Sequence, residues 1–276
     1  MIHPAIAIIQ ARMSSSRLPG KVMKPLAGKP MIWHIYKRAE ACKFVDYVII
    51  ATSTDISDDP LINYCESENL NYYRGSLDNV LSRFLNILDD KDHQYVVRIT
   101  GDCPLIHPEF IDNQIMALNT FDGDVIWLEE NSSVLEGQGV FSTRSLQYIF
   151  KQSTNKEDLE HVGSVYISEN PDQFRIVHLS LPEYLVSEDI RITVDEKDDY
   201  DLLNEIYSNL WKSSYIDLKE VLHWLKKNPE LLEMNKAVHH KKLNIEIKKK
   251  RKEWTDLEKA GYFQYQDYSK LLSRKI

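Results

Sequence analysis

No apolar run in this chain approaches the roughly 20 residues a membrane-spanning helix needs, so insertion into a bilayer is not expected. Cysteine is scarce. Cys42, Cys65 and Cys103 contain no close metal-ligand pair, and their odd number cannot all enter disulfides, so buried or partly buried free thiols are the expectation. The N-terminus lacks the basic, apolar and small-residue regions of a signal peptide, because MIHPAIAIIQAR passes almost at once into a polar loop; a cytoplasmic protein is the default expectation. There is no tandem repeat, no low-complexity tract and no Pro- or Gly-rich linker. A formal net charge of −8 argues against an extended nucleic-acid surface, although a local basic patch can still hold phosphate. Two familiar phosphate-binding patterns are also missing. The glycine, lysine and hydroxyl order of a Walker A loop is absent, as is a GxGxxG dinucleotide fingerprint.

What is present suits a globular protein. With 276 residues, 43% of them hydrophobic and 28% charged, the chain can bury one large core or carry a main domain with a smaller attachment. Ala5 to Ile9 is nearly continuous apolar sequence, as in a parallel strand covered on both faces. Directly after it come Arg12, Ser14, Ser15, Ser16, Arg17, Gly20 and Lys21, a set of charged donors and hydroxyls with one conformationally permissive residue. Such a loop can wrap the oxygens of a nucleoside triphosphate and offset the charge of departing pyrophosphate. A solvated basic turn is the plainer reading of the same residues.

The order of elements predicts a wound α/β sheet. Pro30 can open a helix in which Met31, Ile35, Arg38, Ala39 and Cys42 follow three- and four-residue spacing. Tyr47 to Ala51 reads as a strand with Thr52, Ser53, Thr54 and Asp55 beyond its C-terminal end, the usual ligand side of an open parallel sheet. A helix after Asp59 and Pro60 and a short strand over Asn71 to Tyr73 follow. Ser76 is expected to cap the next helix, where Leu77, Val80, Leu81, Phe84 and Leu88 form an apolar stripe suited to the core. Arg74, Ser76 and Asp78 stand at that strand-to-helix junction, within reach of a nucleotide. Tyr95 to Ile99 is another buried-strand candidate, and Asp102 lies at its exit; a lone aspartate there serves equally as a turn residue. Gly123 to Leu128 and Ile190 to Val194 read as strands, Glu129 to Gly139 as a polar flexible loop, and residues 197–210 and 217–227 as helices with Trp224 and Leu225 packed on the sheet.

Taken together, ARMSSSRLPGK, KPLAGKPMIWHI, ATSTDISDDP, YRGSLDNVLSRF, VVRITGDCPLI and ITVDEKDDYDLL resemble the cytidylyltransferase family that includes spore coat polysaccharide biosynthesis proteins of the SpsF type, over roughly residues 5–230. More distantly the pattern is similar to synthetases of CMP-KDO and CMP-sialic acids. The resemblance implies a three-layer α/β/α nucleotidyltransferase fold with a mostly parallel, Rossmann-like sheet and a small projecting subdomain. It divides the chain into a transferase domain over 1–235, with an acceptor and dimerisation region around 125–190, and a basic helical extension over 236–276 that carries the run 248–252. It also implies transfer of CMP from CTP to a sugar acid or related anionic acceptor, magnesium dependence, release of pyrophosphate and a homodimer.

Carried over residue by residue, the resemblance assigns Arg12, Lys21, Asp102 and Asp195 to catalysis, with Asp102 and Asp195 as magnesium ligands ahead of Glu196 and Asp198. Nucleotide contacts fall to Ala11, Arg12, Ser14, Ser15, Arg17, Lys21, Thr52, Ser53, Arg74, Ser76, Asp78 and Asp102. Gln138, Glu160, His161 and Arg191 are the acceptor-side candidates. Where relatives carry a DGLDVE-like run, this chain has Glu136-Gly-Gln-Gly-Val140, which opens the acceptor to a phosphorylated polyol or phosphonate. A nucleotide-responsive binding protein and a purely structural assembly protein are the alternatives outside enzymology.

Overall fold

A computed structural model describes residues 2–128, 131–187, 189–212 and 215–238 of the protein. The basic run at 248–252 and most of the expected C-terminal extension lie outside them. In chain order the strands are β1 (Ala5–Gln10), β2 (Pro25–Leu26), β3 (Lys29–Pro30), β4 (Val45–Ser53), β5 (Tyr72–Gly75), β6 (Tyr95–Thr100), β7 (Val125–Leu128), β8 (Gln138–Ser142) and β9 (Ile176–Leu179). The helices are α1 (Met31–Glu40), α2 (Asp59–Ser67), α3 (Val80–Leu88), α4 (Pro108–Phe121), α5 (Thr143–Gln152), α6 (Lys156–Glu160), α7 (Ser164–Glu169), α8 (Lys197–Leu210) and α9 (Leu218–Lys227).

The main sheet runs β5-β4-β1-β6-β8-β7-β9, and β2 pairs with β3 in a separate small hairpin. β4 and β6 flank β1 in parallel, β5 continues the parallel run beyond β4, and β8 is the strand that reverses against both β6 and β7. β1 is apolar throughout because both of its faces are covered: Ala5, Ala7 and Ile9 enter one core, Ile6 and Ile8 the other. α1, α2, α4, α8 and α9 bury side chains in the first core; α3, α5 and α7 do so in the second. The three-layer α/β/α arrangement expected from the sequence is therefore the observed one. Among the described residues, no helix is long and apolar enough to cross a membrane, and all three cysteines are buried free thiols.

Four local expectations need correction. The cap of α3 is Asn79, whose Oδ1 accepts from the Ser82 amide at 2.8 Å; Ser76 lies one step earlier, its hydroxyl accepting from the Asn79 amide at 3.1 Å. The short strand starts at Tyr72 and runs to Gly75, in register with the end of β4. Residues 190–194 form no strand in the sheet. Their backbone groups are satisfied piecemeal instead: Ser133 Oγ donates to the Ile190 carbonyl, Asn235 Nδ2 to that of Arg191, and the Val194 amide to the Asp102 carbonyl. The polar stretch read as one loop through Gly139 ends earlier, because Gln138 and Gly139 already belong to β8. The region 125–190 contributes β7, β8 and β9 to the main sheet, and β9 was not anticipated.

This topology locates the ligand side. The chain leaves β1 toward β4 on one flank and later returns to β6 on the other, so the crevice at the topological switch point opens above the C-terminal ends of β1 and β6. Gly101 lets those two exits close on each other. Its amide donates to the Gln10 carbonyl at 2.9 Å, and a Cβ there would fall 2.9 Å from the Ala11 Cβ.

Candidate active site

A cleft of about 590 Å³ lies over that crevice, walled by the loop after β1, the Thr100–Asp102 exit of β6, Asp195 and Glu196, and, on the second-core face, Val80, Arg83, Glu160 and His161. Its most ordered feature is Lys21. All three ammonium protons are used: Nζ donates to the Val194 carbonyl at 2.7 Å, to Asp102 Oδ2 at 2.9 Å and to Asp195 Oδ1 at 3.0 Å. Burial opposes its charge, but the two carboxylates outweigh burial and hold its pKa above the ordinary lysine value.

Asp195 is supported from behind. Arg17 Nη2 lies 2.8 Å from its Oδ1 and Arg191 Nη2 2.6 Å from its Oδ2. Burial disfavours this carboxylate, yet Lys21, Arg17 and Arg191 together hold its pKa below the usual carboxylate range. Asp199, fully buried, anchors the arrangement: it accepts from Arg191 Nε at 2.8 Å and from the backbone amides of Asp195 at 2.9 Å and Glu196 at 3.0 Å, which closes the capping box of α8. The loop after β1 is fixed by another buried acid. Asp58 accepts from the Met13 amide at 2.6 Å and from the hydroxyls of Thr52 at 2.9 Å and Ser53 at 2.5 Å, so the end of β4 and the start of the loop share one carboxylate.

The expected site residues divide by position. Ala11, Arg12, Ser15, Arg17, Lys21, Asp102, Glu160, His161 and Asp195 come together around the cleft. Thr52 and Ser53 are turned to Asp58. Arg74 binds the carbonyls of Ser53 and Asp55 and pairs with Asp59, while Ser76 serves the α3 terminus; these, with Ser14 and Asp78, do not line the cleft. Gln138 and Arg191 are also off its wall: Gln138 is buried with Oε1 accepting from the His107 amide at 2.7 Å, and Arg191 is buried against Asp195 and Asp199.

Four residues were not picked out in advance. Asp58 is one. Glu136 is another, its carboxyl pushed up to about 7 by burial and by Asp102 and Asp195, with Arg191 opposing. Arg83 and Arg98 face the cleft from α3 and β6. Their signal was available, since each is a charge inside an otherwise apolar element, but periodicity ranks such positions as interruptions.

Asp102 and Asp195 also present the donor chemistry that suits magnesium, a hard cation bound by one or two carboxylates and completed by substrate phosphates and water. Their convergence on one lysine nitrogen shows that both oxygens can face a single cation. Among the described residues no group of three or more His, Cys, Asp or Glu is placed to hold a metal by itself, so phosphate oxygens would have to complete the set.

A family profile described as cytidylyltransferase matches residues 6–266. The chain is 34% identical over 239 residues to the uncharacterized protein MJ1063 of Methanocaldococcus jannaschii, covering 86% of this chain and 96% of that one. It is 30% identical over 233 residues to the spore coat polysaccharide biosynthesis protein SpsF of Bacillus subtilis, covering 83% and 97%. A solved cytidylyltransferase structure from Leptospira borgpetersenii superposes with a TM-score of 0.76 at 24% identity, over 86% of this chain and all of that one. Similarity to 3-deoxy-manno-octulosonate cytidylyltransferases is more distant and covers 41% of this chain. The chain belongs to the cytidylyltransferase family.

Proposed function

We propose that the protein transfers CMP from CTP to a negatively charged acceptor, a sugar acid in the first instance, with release of pyrophosphate, in the synthesis of surface polysaccharide. The observation that carries this reading is Lys21 joined to Asp102 and Asp195 at the switch-point cleft, with Arg12 and Arg17 on the same rim. The sugar-acid assignment draws on the octulosonate-activating relatives, and the pathway on the name of SpsF.

In this reading the acceptor oxygen attacks the α-phosphorus directly. The new O–P bond forms as the bond to the pyrophosphate oxygen breaks, and no covalent enzyme intermediate is needed. Arg12 and Arg17 hold the phosphates, and Lys21, whose protons stay on Asp102, Asp195 and the Val194 carbonyl, adds its positive charge to offset the charge that grows on the leaving group. Asp102 and Asp195 are the residues that would hold magnesium, which when bound neutralises triphosphate charge. Arg191 and Asp199 do not touch substrate; they set the direction of Asp195.

Calorimetric titration of the full-length protein with CTP, UTP, ATP and GTP, with and without magnesium, tests the nucleotide half of the proposal. CTP is expected to bind preferentially and only with magnesium; folded protein that shows no magnesium-dependent CTP binding would remove the reading. An acceptor panel with CTP and magnesium, followed by pyrophosphate release and product mass, tests the rest. A CMP-sugar is the expected product. Selective transfer to a phosphorylated polyol or phosphonate would keep the reaction and replace the acceptor, and CTP binding without turnover on any acceptor would favour a nucleotide-responsive protein.

A further inference from the structure

The two carboxylate oxygens that share Lys21 are not equally open. Among the described residues Asp102 Oδ2 meets only Lys21 Nζ, at 2.9 Å. Asp195 Oδ1 faces two cations, Lys21 Nζ at 3.0 Å and Arg17 Nη2 at 2.8 Å, and Arg191 Nη2 takes the other oxygen at 2.6 Å. A magnesium–oxygen bond of about 2.0–2.1 Å is shorter than any of these contacts, so a divalent ion on Oδ1 would press like charge against like. The cluster is also close to balanced: Asp102, Asp195, Glu196 and Asp199 stand against Arg17, Lys21 and Arg191. Glu136 and Arg98, which also lie in the field of Asp102, have opposite signs. A divalent ion would reverse that balance unless the negative charge of a triphosphate arrived with it. Of the three cations on Asp195, Arg17 is the one that can leave. The side chains of Lys21 and Arg191 are 11% and 8% exposed, Lys21 holding three acceptors and Arg191 tied to buried Asp199 at 2.8 Å. Arg17 lies in the loop after β1, lines the cleft and is 33% exposed. It is held by ion pairs to Asp195 and, at 3.5 Å, to Glu196, and partly exposed pairs of this kind are weak.

We propose that Arg17 gates the cation site: it holds Asp195 in the nucleotide-free protein and passes to the triphosphate when CTP binds, which releases Asp195 Oδ1 to magnesium. The inference rests on the nucleotidyl-transfer reading above. Lys21 is not the gate, because its departure would take a donor from Asp102, Asp195 and the Val194 carbonyl at once. Exchange at Arg17 breaks weak pairs and returns a charge-assisted contact with phosphate, an anion that the guanidinium fork fits. Asp195 keeps a positive partner throughout, so its half-buried carboxylate is never left as a bare charge. Cation and nucleotide then favour each other by the same factor, and Arg17 supplies part of it. The nucleotide-free protein is expected to bind the metal poorly for the same reason.

The experiment titrates manganese(II), a paramagnetic ion that shares magnesium's preference for carboxylate oxygen, into full-length nucleotide-free protein and counts the free ion by electron paramagnetic resonance. Arg17→Gln is expected to bind the ion about fivefold more tightly than the wild type, the scale of one partly exposed ion pair. Arg12→Gln, which removes a rim charge that approaches Glu160 instead, should stay within about twofold of the wild type. In an Asp195→Asn background the gain from Arg17→Gln should vanish, the mark of an effect transmitted through that carboxylate. A CTP analogue with a methylene bridge between its α- and β-phosphates, titrated calorimetrically with magnesium, should bind Arg17→Gln about fivefold more weakly, since a charge-assisted bond to phosphate outweighs the ion pair it replaces. Thermal unfolding profiles like that of the wild type show that the variants are folded, and Arg17→Ala is a second neutral variant. Manganese affinity unchanged in both Arg17 variants, an equal gain in Arg12→Gln, or a gain that survives Asp195→Asn would overturn the proposal, as would undiminished analogue binding in Arg17→Gln. If the wild type binds no analogue at any magnesium concentration while the Asp195-dependent manganese gain persists, the nucleotidyl-transfer reading falls and the closure of the cation site by Arg17 stands.

Discussion

One ammonium group determines how the two acids of the cleft behave. Lys21 is 9% exposed, and its three hydrogen bonds leave it no freedom to reorient. Asp195 titrates below the usual carboxylate range, so its ion pairs are complete above about pH 4, the ordinary aspartate value, and are lost as pH falls through the lower folded value. Lys21, titrating above its ordinary value, contributes stability that is complete below pH 10.5 and is lost as pH rises through the raised folded value. At neutral pH both partners are therefore charged, and replacing Asp195 by Asn probes the charge itself. Asp102→Asn and Asp195→Asn are each expected to leave the protein folded, since Lys21 keeps the other carboxylate and the Val194 carbonyl. Turnover should fall about a hundredfold or more, the usual scale for removing one electrostatic contact to the reacting phosphate. Glu196→Gln should change it by much less, because Glu196 caps α8 and meets Arg17 at 3.5 Å without joining Asp102 and Asp195 on Lys21. Steady-state pyrophosphate release decides the matter: near-normal rates in both Asn variants would remove these acids from the reaction.

At the scale of elements, α1 is tied to the small hairpin by a histidine. Nε2 of His34 lies 2.7 Å from the Leu26 carbonyl of β2, and burial is the main reason its pKa falls to about 4, against a partial offset from that hydrogen bond. His107, at the start of α4, is also lowered to about 4, chiefly by burial. Both are neutral when folded and become protonated near pH 6.5 when unfolded. The contribution of the two histidines is thus expected to be flat above pH 6.5 and to fall as the pH drops toward 4, each costing about 2 kcal/mol between pH 7 and pH 5, while Glu136, raised to about 7, works in the opposite direction over the same interval. Urea denaturation at those two pH values should show a smaller difference for His34→Gln than for the wild type; an equal difference would mean that His34 does not carry the acid sensitivity. Elements that bury side chains in this first core were legible in the sequence because their apolar spacing is nearly continuous: β1, β6, α1, α8 and α9 lie close to where periodicity puts them. β8 was not, since Gln138 and Gly139 read as loop and their strand identity depends on pairing with the distant β6. Residues 190–194 failed in the other direction, strand-like in composition but held by side chains from 133 and 235.

The whole molecule converges on the same point. Lys21 meets acids 81 and 174 residues away, and for that reason the site could be named from its parts but not assembled from them. The roles of Arg83, Arg98 and Asp58 were hidden similarly, each being a charge whose meaning depends on a partner or a cavity supplied by another part of the chain. The far end of the described chain takes part as well. After α9 the chain turns back so that Asn235, 4% exposed, donates Nδ2 to Asp199 Oδ1 at 2.9 Å and to the Arg191 carbonyl at 3.0 Å. Asn235 therefore holds the residues that hold Asp195, two contacts removed from the cleft. Asn235→Ala leaves Asp199 and Arg191 short of one donor each and is expected to cost about 1–2 kcal/mol of stability. If the amide matters only for packing, kcat below the unfolding transition should match the wild type. If it positions Asp195, kcat should fall several-fold even at saturating CTP and magnesium, and more magnesium should be needed for half-maximal rate. Measuring kcat at saturating CTP across a magnesium series on the folded variant distinguishes the two, and the positioning role requires kcat to drop.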